Sequence, residues 1–403
     1  MDWQNIFATR MGRMKASEIR ELLKLLDQPD IISFAGGIPD PDLFPKAEFA
    51  AAFADIFASG QGTDALQYSV SEGYLPLRQW IAAQMADLGI PCGCDNILIT
   101  SGSQQALDYL GKLMLSKDDT ALVNWPTYLG ALGAFNAYEP HFDQISANSN
   151  RPAAEYQATA NAHGGAPKFA YMSVDFANPT GETMDRRARL SALDLAAEMD
   201  IAIIEDAAYQ SLRYDGAAIP PILALEIERT GSIEDCRTIY CGSFSKTLAP
   251  GLRVGWVCAA KSVIQPLVLM KQAADLHSST INQIAIHKVA STGFAAQTSK
   301  IRAAYRARRD HMLAALKTHM PDGVTWTKPE GGMFIWLTLP PHLDGADLLA
   351  KSLETQKLAF VPGRAFFADG SNGNTLRLSF SCADEATINT GIGRLGNLLK
   401  SVV

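Results

Sequence analysis

Long apolar runs are missing from this sequence of 403 residues. No stretch approaches the roughly 20 consecutive apolar residues that a membrane-spanning helix needs. Residues 1–7 (MDWQNIF) have neither the charged start nor the apolar centre of a secretory signal. Excess positive charge is missing as well: 35 Lys and Arg against 42 Asp and Glu leave a net charge of -7. Binding a phosphate backbone needs a basic face, so neither nucleic acid nor a membrane is expected as a partner. Cysteine is scarce, with only Cys92, Cys94, Cys236, Cys241, Cys258 and Cys382. Cys92 and Cys94 stand one residue apart and lack the second pair and nearby histidines of a zinc site, so no metal is expected. The six read as reduced thiols in a cytoplasmic protein. Internal repeats and low-complexity linkers are also absent.

What is present is an alternating pattern. A chain of this length exceeds the usual single-core limit, so two domains, or one large domain with a lobe, are expected. Short apolar runs at 96–100, 120–124, 168–174, 201–206, 238–242 and 254–259 alternate with helical segments. Such alternation predicts an α/β fold with a mostly parallel sheet and helices on both faces. One helix is expected over 185–199, with Leu190, Leu193 and Ala197 facing inward and Arg186, Arg187, Asp194 and Glu198 facing water. The last third changes character, with a helical pattern over 301–320 and strands over 331–340 and 375–381, which suggests a smaller α+β domain.

Residues 242–256 (GSFSKTLAPGLRVGW) carry the chemistry. Lys246 lies in a polar turn between two buried strands, an expensive place for an amine and a guanidinium without partners. A lysine amine can form a Schiff base with an aldehyde, and Ser243, Ser245 and Arg253 can hold a phosphate through hydroxyls and a guanidinium fork. One small molecule carries both groups, pyridoxal 5'-phosphate. The segment resembles the active-site lysine segment of fold-type I pyridoxal-phosphate aminotransferases of class I/II, in the branch of 2-aminoadipate and kynurenine aminotransferases.

The resemblance covers nearly the whole chain and implies further roles. It implies a large domain on a seven-stranded sheet over 46–285, a small C-terminal domain over 286–403, and a segment 1–45 that joins the small domain. The strand 201–206 (IAIIED) ends in two acids, and the resemblance assigns Asp206, not Glu205, to the cofactor's pyridine nitrogen. Open α/β sheets place ligands beyond such strand ends. Tyr209 and Asn178, the latter in 176–182 (FANPTGE), would donate to the cofactor's phenolic oxygen. The strand-to-helix turn 100–106 (TSGSQQA) offers backbone amides to an anion, with Ser103 and Gln104 at the matching phosphate positions. Tyr128 in 125–130 (WPTYLG) would stack on the ring. Tyr68, in 66–78 (LQYSVSEGYLPLR), would reach the phosphate of a neighbouring subunit, so a homodimer is implied. Arg377, in the apolar strand 376–381 (LRLSFS), would clamp the substrate α-carboxylate, where an unpaired guanidinium is otherwise costly. Gly37 and Asn178 would also line the substrate site. Arg20, with Ser17 one turn earlier, would meet a distal carboxylate. Ala207-Ala208 and Asn124-Trp125 depart from the usual pattern of such proteins, and both bear on substrate choice.

The resemblance therefore implies transamination of an L-amino acid (2-aminoadipate, aromatic or branched-chain) with 2-oxoglutarate as acceptor. A β-lyase or decarboxylase on the same site is the alternative, because the lysine segment does not dictate which bond breaks. A non-catalytic cofactor-binding sensor domain is a third reading.

Overall fold

The computed structural model describes residues 1, 3–14, 30–147 and 149–402. Ser17 and Arg20 lie outside the described residues. In chain order the strands are β1 (Ile32–Ser33), β2 (Ile97–Thr100), β3 (Thr120–Val123), β4 (His141–Gln144), β5 (Pro167–Met172), β6 (Ala202–Asp206), β7 (Thr238–Ser243) and β8 (Gly255–Cys258), followed by β9 (Thr325–Trp326), β10 (Phe334–Thr338), β11 (Leu358–Ala359), β12 (Val361–Pro362) and β13 (Thr375–Ser379).

Seven of these form the main sheet in the order β2-β8-β7-β6-β5-β3-β4. Pairs from β4 to β7 are parallel, whereas β8 runs antiparallel to both β2 and β7. Side chains alternate between the faces of a strand, and two cores result. Ile204, Ile239, Cys241 and Tyr171 pack on one face with Leu107, Phe135 and Leu267. Ile203, Ala170 and Met172 pack on the other with Leu193, Ala196 and Ile222. Burial on both faces is why these strands read as continuous apolar runs. The edge strand β4, of sequence His-Phe-Asp-Gln, has no apolar run and was not expected.

The helix Arg186–Met199 is capped by Asp185, whose carboxylate accepts from Ala188 N. Its inward stripe differs from expectation. Ala197 is exposed and Leu190 only half-buried, while Arg189 is wholly buried. The guanidinium is tolerated there because it ion-pairs with Asp175 at 2.7 Å and donates to the carbonyls of Val174 and Met184. Its aliphatic stem lies on the buried stripe, a placement that a hydrophobicity pattern does not register.

A single helix of 40 residues, Thr280–His319, links the two ends of the molecule. At 1.5 Å per residue it is about 60 Å long. Ile286, Val289 and Ala290 pack with the main-sheet core, and Ile301, Tyr305, Met312 and Leu316 with the second one. The expected division at 285/286 falls inside this helix. Beyond it, β12-β13-β10-β9 form an antiparallel sheet. The helix Glu385–Lys400 buries Ile388, Ile392, Leu395 and Leu399 in the same core. Near the chain start, β1 pairs in parallel with β11. Among the described residues no helix is long and apolar enough to cross a membrane.

Candidate active site

Strand β7 ends at Ser243 and the chain turns through Lys246 before re-entering the sheet as β8. Ser243 Oγ accepts from the backbone N–H of Ser245 at 3.1 Å and donates to Ser245 Oγ at 2.9 Å, which folds the turn back on itself. Arg253, just before β8, adopts a left-handed backbone (φ +52°). That twist aims its guanidinium at the turn between β2 and the helix Ser103–Met114, where Nη2 donates to Ser101 O at 3.4 Å. Gly102 occupies that turn at φ +79°, and a Cβ there would fall 2.3 Å from Arg253 Nη2. Only a bare backbone lets the helix start and the guanidinium converge. The helix start has no side-chain cap, so its first N–H groups and Arg253 form a cradle for an anion.

Lys246 is half-buried, with Nζ donating to Gly37 O at 2.9 Å and standing 5.7 Å from the centre of the Tyr209 ring. Burial, then the charges of Arg377 and Arg253, push its pKa down to about 8 against the opposing pull of Asp206. Such an amine is partly neutral near physiological pH.

The two acids ending β6 diverge because neighbouring residues of a strand face opposite ways. Glu205 turns to the face that carries the helix Ile222–Thr230 and accepts from Ile222 N and Leu223 N at 2.8 and 3.1 Å. It caps that helix. Asp206 turns to the face of Lys246, 5% exposed, and accepts from the Tyr171 hydroxyl at 2.7 Å and from Ala208 N at 3.3 Å. Burial raises its pKa, while the bond from Tyr171, the Ala208 N–H and the charge of Lys246 act to keep it ionised. Sequence reasoning missed Tyr171. An aromatic residue in a buried strand reads as core, and only its hydroxyl in an otherwise apolar run hinted at a polar partner.

Arg377, on β13, is 1% exposed. Nη1 donates to Asn178 Oδ1 at 2.7 Å and Nη2 to Ala35 O at 2.8 Å, with the guanidinium lying 4.2 Å from the centre of the Phe334 ring. Its Nε has no hydrogen-bond partner, and among the described residues no ion pair involves it. Burial lowers its pKa to about 10. A buried, hydrogen-bonded cation without a carboxylate is a site for one. Because Asn178 Oδ1 serves Arg377, its amide NH2 faces the Tyr209 hydroxyl. Gly37 borders the same space, since a Cβ there would lie 3.1 Å from Phe334 Cζ and 3.7 Å from Arg377 Nη2.

The structure thus brings Lys246, Asp206, Tyr209, Asn178, Arg377 and Gly37 together, with Ser103, Ser243, Ser245 and Arg253 at the cradle. Gln104 follows Ser103 and donates to Gly130 O at 2.6 Å, and the Tyr128 hydroxyl donates to Gln104 Oε1 at 3.4 Å. Tyr68 stands apart, 79% exposed, its ring edge-on to His277 at 6.1 Å. Asn124 and Trp125 line a cavity with Thr127, Ser173 and Asn178, so it adjoins the group through Asn178 while Lys246 does not line it.

Comparison with known proteins gives a consistent result. The sequence model of the family described as aminotransferase class I and II matches residues 29–395. The chain is 40% identical to a 2-aminoadipate transaminase of Thermus thermophilus, across 100% of this chain and 98% of that protein. It is 41% identical to aromatic-amino-acid aminotransferase 1 of Thermococcus litoralis, across 99% and 95%. The crystal structure of an alpha-aminoadipate aminotransferase from Thermus thermophilus, complexed with N-(5'-phosphopyridoxyl)-L-leucine, superposes with a TM-score of 0.88 at 40% identity, covering 100% of this chain and 99% of that one.

Proposed function

The chain belongs to the class I and II aminotransferases, and from that premise we propose that it carries pyridoxal phosphate at Lys246 and moves an amino group from an L-amino acid of the 2-aminoadipate, aromatic or branched-chain class to 2-oxoglutarate. The solved relative holding a phosphopyridoxyl amino acid supports the cofactor, and so does the site. The Gly102 turn leaves no room for a Cβ beside Arg253, an amine of lowered pKa feels both that guanidinium and a buried carboxylate, and among the described residues the second cation, Arg377, has no acid.

When bound, pyridoxal phosphate supplies an aldehyde for amine exchange and a ring that accepts the electrons left by a departing α-proton. The chain's own residues do the rest. Ser103, Ser243, Ser245, Arg253 and Gln104 would hold the phosphate, with Tyr128 against the ring. Asp206 would keep the ring nitrogen protonated, the more effectively because Tyr171 holds the carboxylate in place. The Asn178 amide and the Tyr209 hydroxyl would donate to the phenolic oxygen. Arg377, its Nε unsatisfied, would clamp the substrate α-carboxylate in a two-point bond. Lys246 Nζ would take the α-proton as a neutral amine and return a proton as an ammonium, and a pKa of about 8 suits both directions.

The observation that carries this reading is that Lys246 Nζ is held on the carbonyl of Gly37, which borders the acid-free, buried Arg377, and feels the cradle's Arg253. We extend the proposal to a homodimer. Tyr68 is exposed, as are Leu66, Val70 and Leu75 close to it in sequence, and a second copy covering this segment would have its site completed by Tyr68. Six free cysteines suit a cytoplasmic setting.

The test is a half-reaction. The cofactor-loaded protein is incubated separately with 2-aminoadipate, tyrosine, leucine and glutamate, and pyridoxamine phosphate and 2-oxo acid are quantified. Equal amounts of both are expected with at least one donor. Release of carbon dioxide, or of ammonia with a shortened oxo acid, without pyridoxamine phosphate would mean a decarboxylase or lyase instead.

A further inference from the structure

A buried cation outside the group just described lies behind the phosphate cradle. Lys271, on the helix Lys261–Ala274, has a side chain with 0% exposure. Nζ donates to both oxygens of Asp275, at 3.0 and 3.1 Å, and to Gln105 Oε1 at 2.9 Å. Gln105 returns an N–H to Asp275 Oδ2 at 2.8 Å. The same Oε1 accepts the backbone N–H of Ser101 at 2.8 Å, and Ser101 Oγ donates to Asp275 Oδ2 at 3.3 Å. Ser101 is the residue whose carbonyl receives Arg253 Nη2.

A lysine with no water around it is costly unless every proton is used, and here all three find acceptors. Burial lowers the pKa of Lys271 while Asp275 opposes that shift. Burial would raise Asp275, but bonds from Gln105 and Lys271 leave it low. The pair is net neutral, so its effect on an anion is geometric. It fixes Ser101 from behind, leaving the carbonyl turned to Arg253 and the Gly102 backbone extended to the start of the helix.

We propose that Lys271 and Asp275 act through Gln105 as positioning residues for the phosphate group of the cofactor, holding the Ser101–Gly102 turn open to it. The proposal rests on the assignment of this cradle to the phosphate. It accounts for an ion pair that the reaction does not otherwise use.

Cofactor-free protein is titrated with pyridoxal phosphate and, separately, with pyridoxal, which lacks the phosphate. Gln105→Met removes the acceptor of the Ser101 backbone N–H, leaves only the longer Ser101 Oγ–Asp275 bond to join the turn to the ion pair, and keeps that pair in place. Affinity for pyridoxal phosphate should fall roughly 5- to 100-fold, the effect of one buried hydrogen bond left unmade, and affinity for pyridoxal should stay within about twofold. The double variant Lys271→Met with Asp275→Leu removes the pair without stranding a charge and should show the same selective loss, which also covers a failure of Gln105→Met to fold. Equal losses for both ligands, or no loss, would overturn the proposal. Arg253→Gln is the reference. If it lowers the preference for the phosphorylated ligand and the other variants do not, only the positioning role falls. If it leaves that preference intact, the cradle assignment falls and takes the positioning role with it.

Discussion

Burial and two guanidinium groups disfavour the charge of Lys246 and hold its pKa at about 8, while Asp206 and, less strongly, Cys382 favour it. In cofactor-free protein, the rate at which pyridoxal labels Lys246, trapped by borohydride and counted by mass spectrometry, should therefore rise about tenfold per pH unit below 8 and level off above. Arg377→Gln removes one of the two cations and should carry the midpoint upward, toward the ordinary lysine value of 10.5. An unchanged midpoint would mean that Arg377 is not felt at Nζ. Tyr171 gives a second expectation at this scale. Its bond to Asp206 lowers the pKa of the carboxyl, so Tyr171→Phe should raise it, and the acid limb of kcat/KM should move to higher pH. A profile that only drops in height, without a shift along the pH axis, would reduce Tyr171 to packing. Lys246 and Arg377 stood out as cations in a buried turn and an apolar strand, whereas Asn178 and the choice of Asp206 over Glu205 came from the family resemblance. Tyr171, Lys271 and Asp275 were not legible. A tyrosine in a strand looks like core, and a lysine four residues before an aspartate at a helix end looks like a solvated pair until the fold buries the lysine.

The paired acids of β6 do two jobs because a strand has two faces. Glu205 is pushed up to about 7 by burial, against the pull of Arg189 and of two backbone N–H groups. A folded-state value above the ordinary 4.5 means that the folded chain holds this proton more tightly than the unfolded one. The stability it contributes is complete below about pH 4.5 and is lost as pH rises through 7, by at most about 3 kcal/mol. Glu205→Gln cannot titrate. Urea unfolding of the two proteins at pH 4.5 and pH 8 should therefore show a stability difference that moves by up to that amount in favour of the variant at the higher pH. A constant difference would show that the helix amides keep the carboxylate ionised throughout. Elements with both faces buried were readable from their apolar runs, with ends displaced by a residue or two. The polar edge strand β4 was not, since it buries little and pairs only through its backbone. The helix over 185–199 was found, but its inward stripe was misplaced around Ala197, because alanine signals neither face.

At the scale of the whole molecule, Tyr68 supplies the test of assembly. Mixing Lys246→Ala protein with Tyr68→Phe protein and allowing subunit exchange should produce hybrid dimers with one site carrying both defects and one carrying neither. Activity should exceed the sum of the separate variants. A mixture that never exceeds that sum, with exchange demonstrated by mass, would show that Tyr68 serves its own subunit. The long helix Thr280–His319 was expected only over 301–320; residues 280–285 were assigned to the large domain and 286–300 to the small one, with no helix read there, because this half packs on the main-sheet core and carries no distinct start signal. The pairing of the two chain ends has a temporal meaning. Residues 32–38 hydrogen-bond to Lys357, Ala359, Arg377, Ser379 and Ser381, so the carbonyls that receive Arg377 and Lys246 are made among the first residues and most of their supports among the last. Contacts that distant form late. A ribosome that has completed the entire main sheet still holds a chain without Arg377, the proposed clamp, and the amine can meet its fixed carbonyl only when synthesis is nearly over.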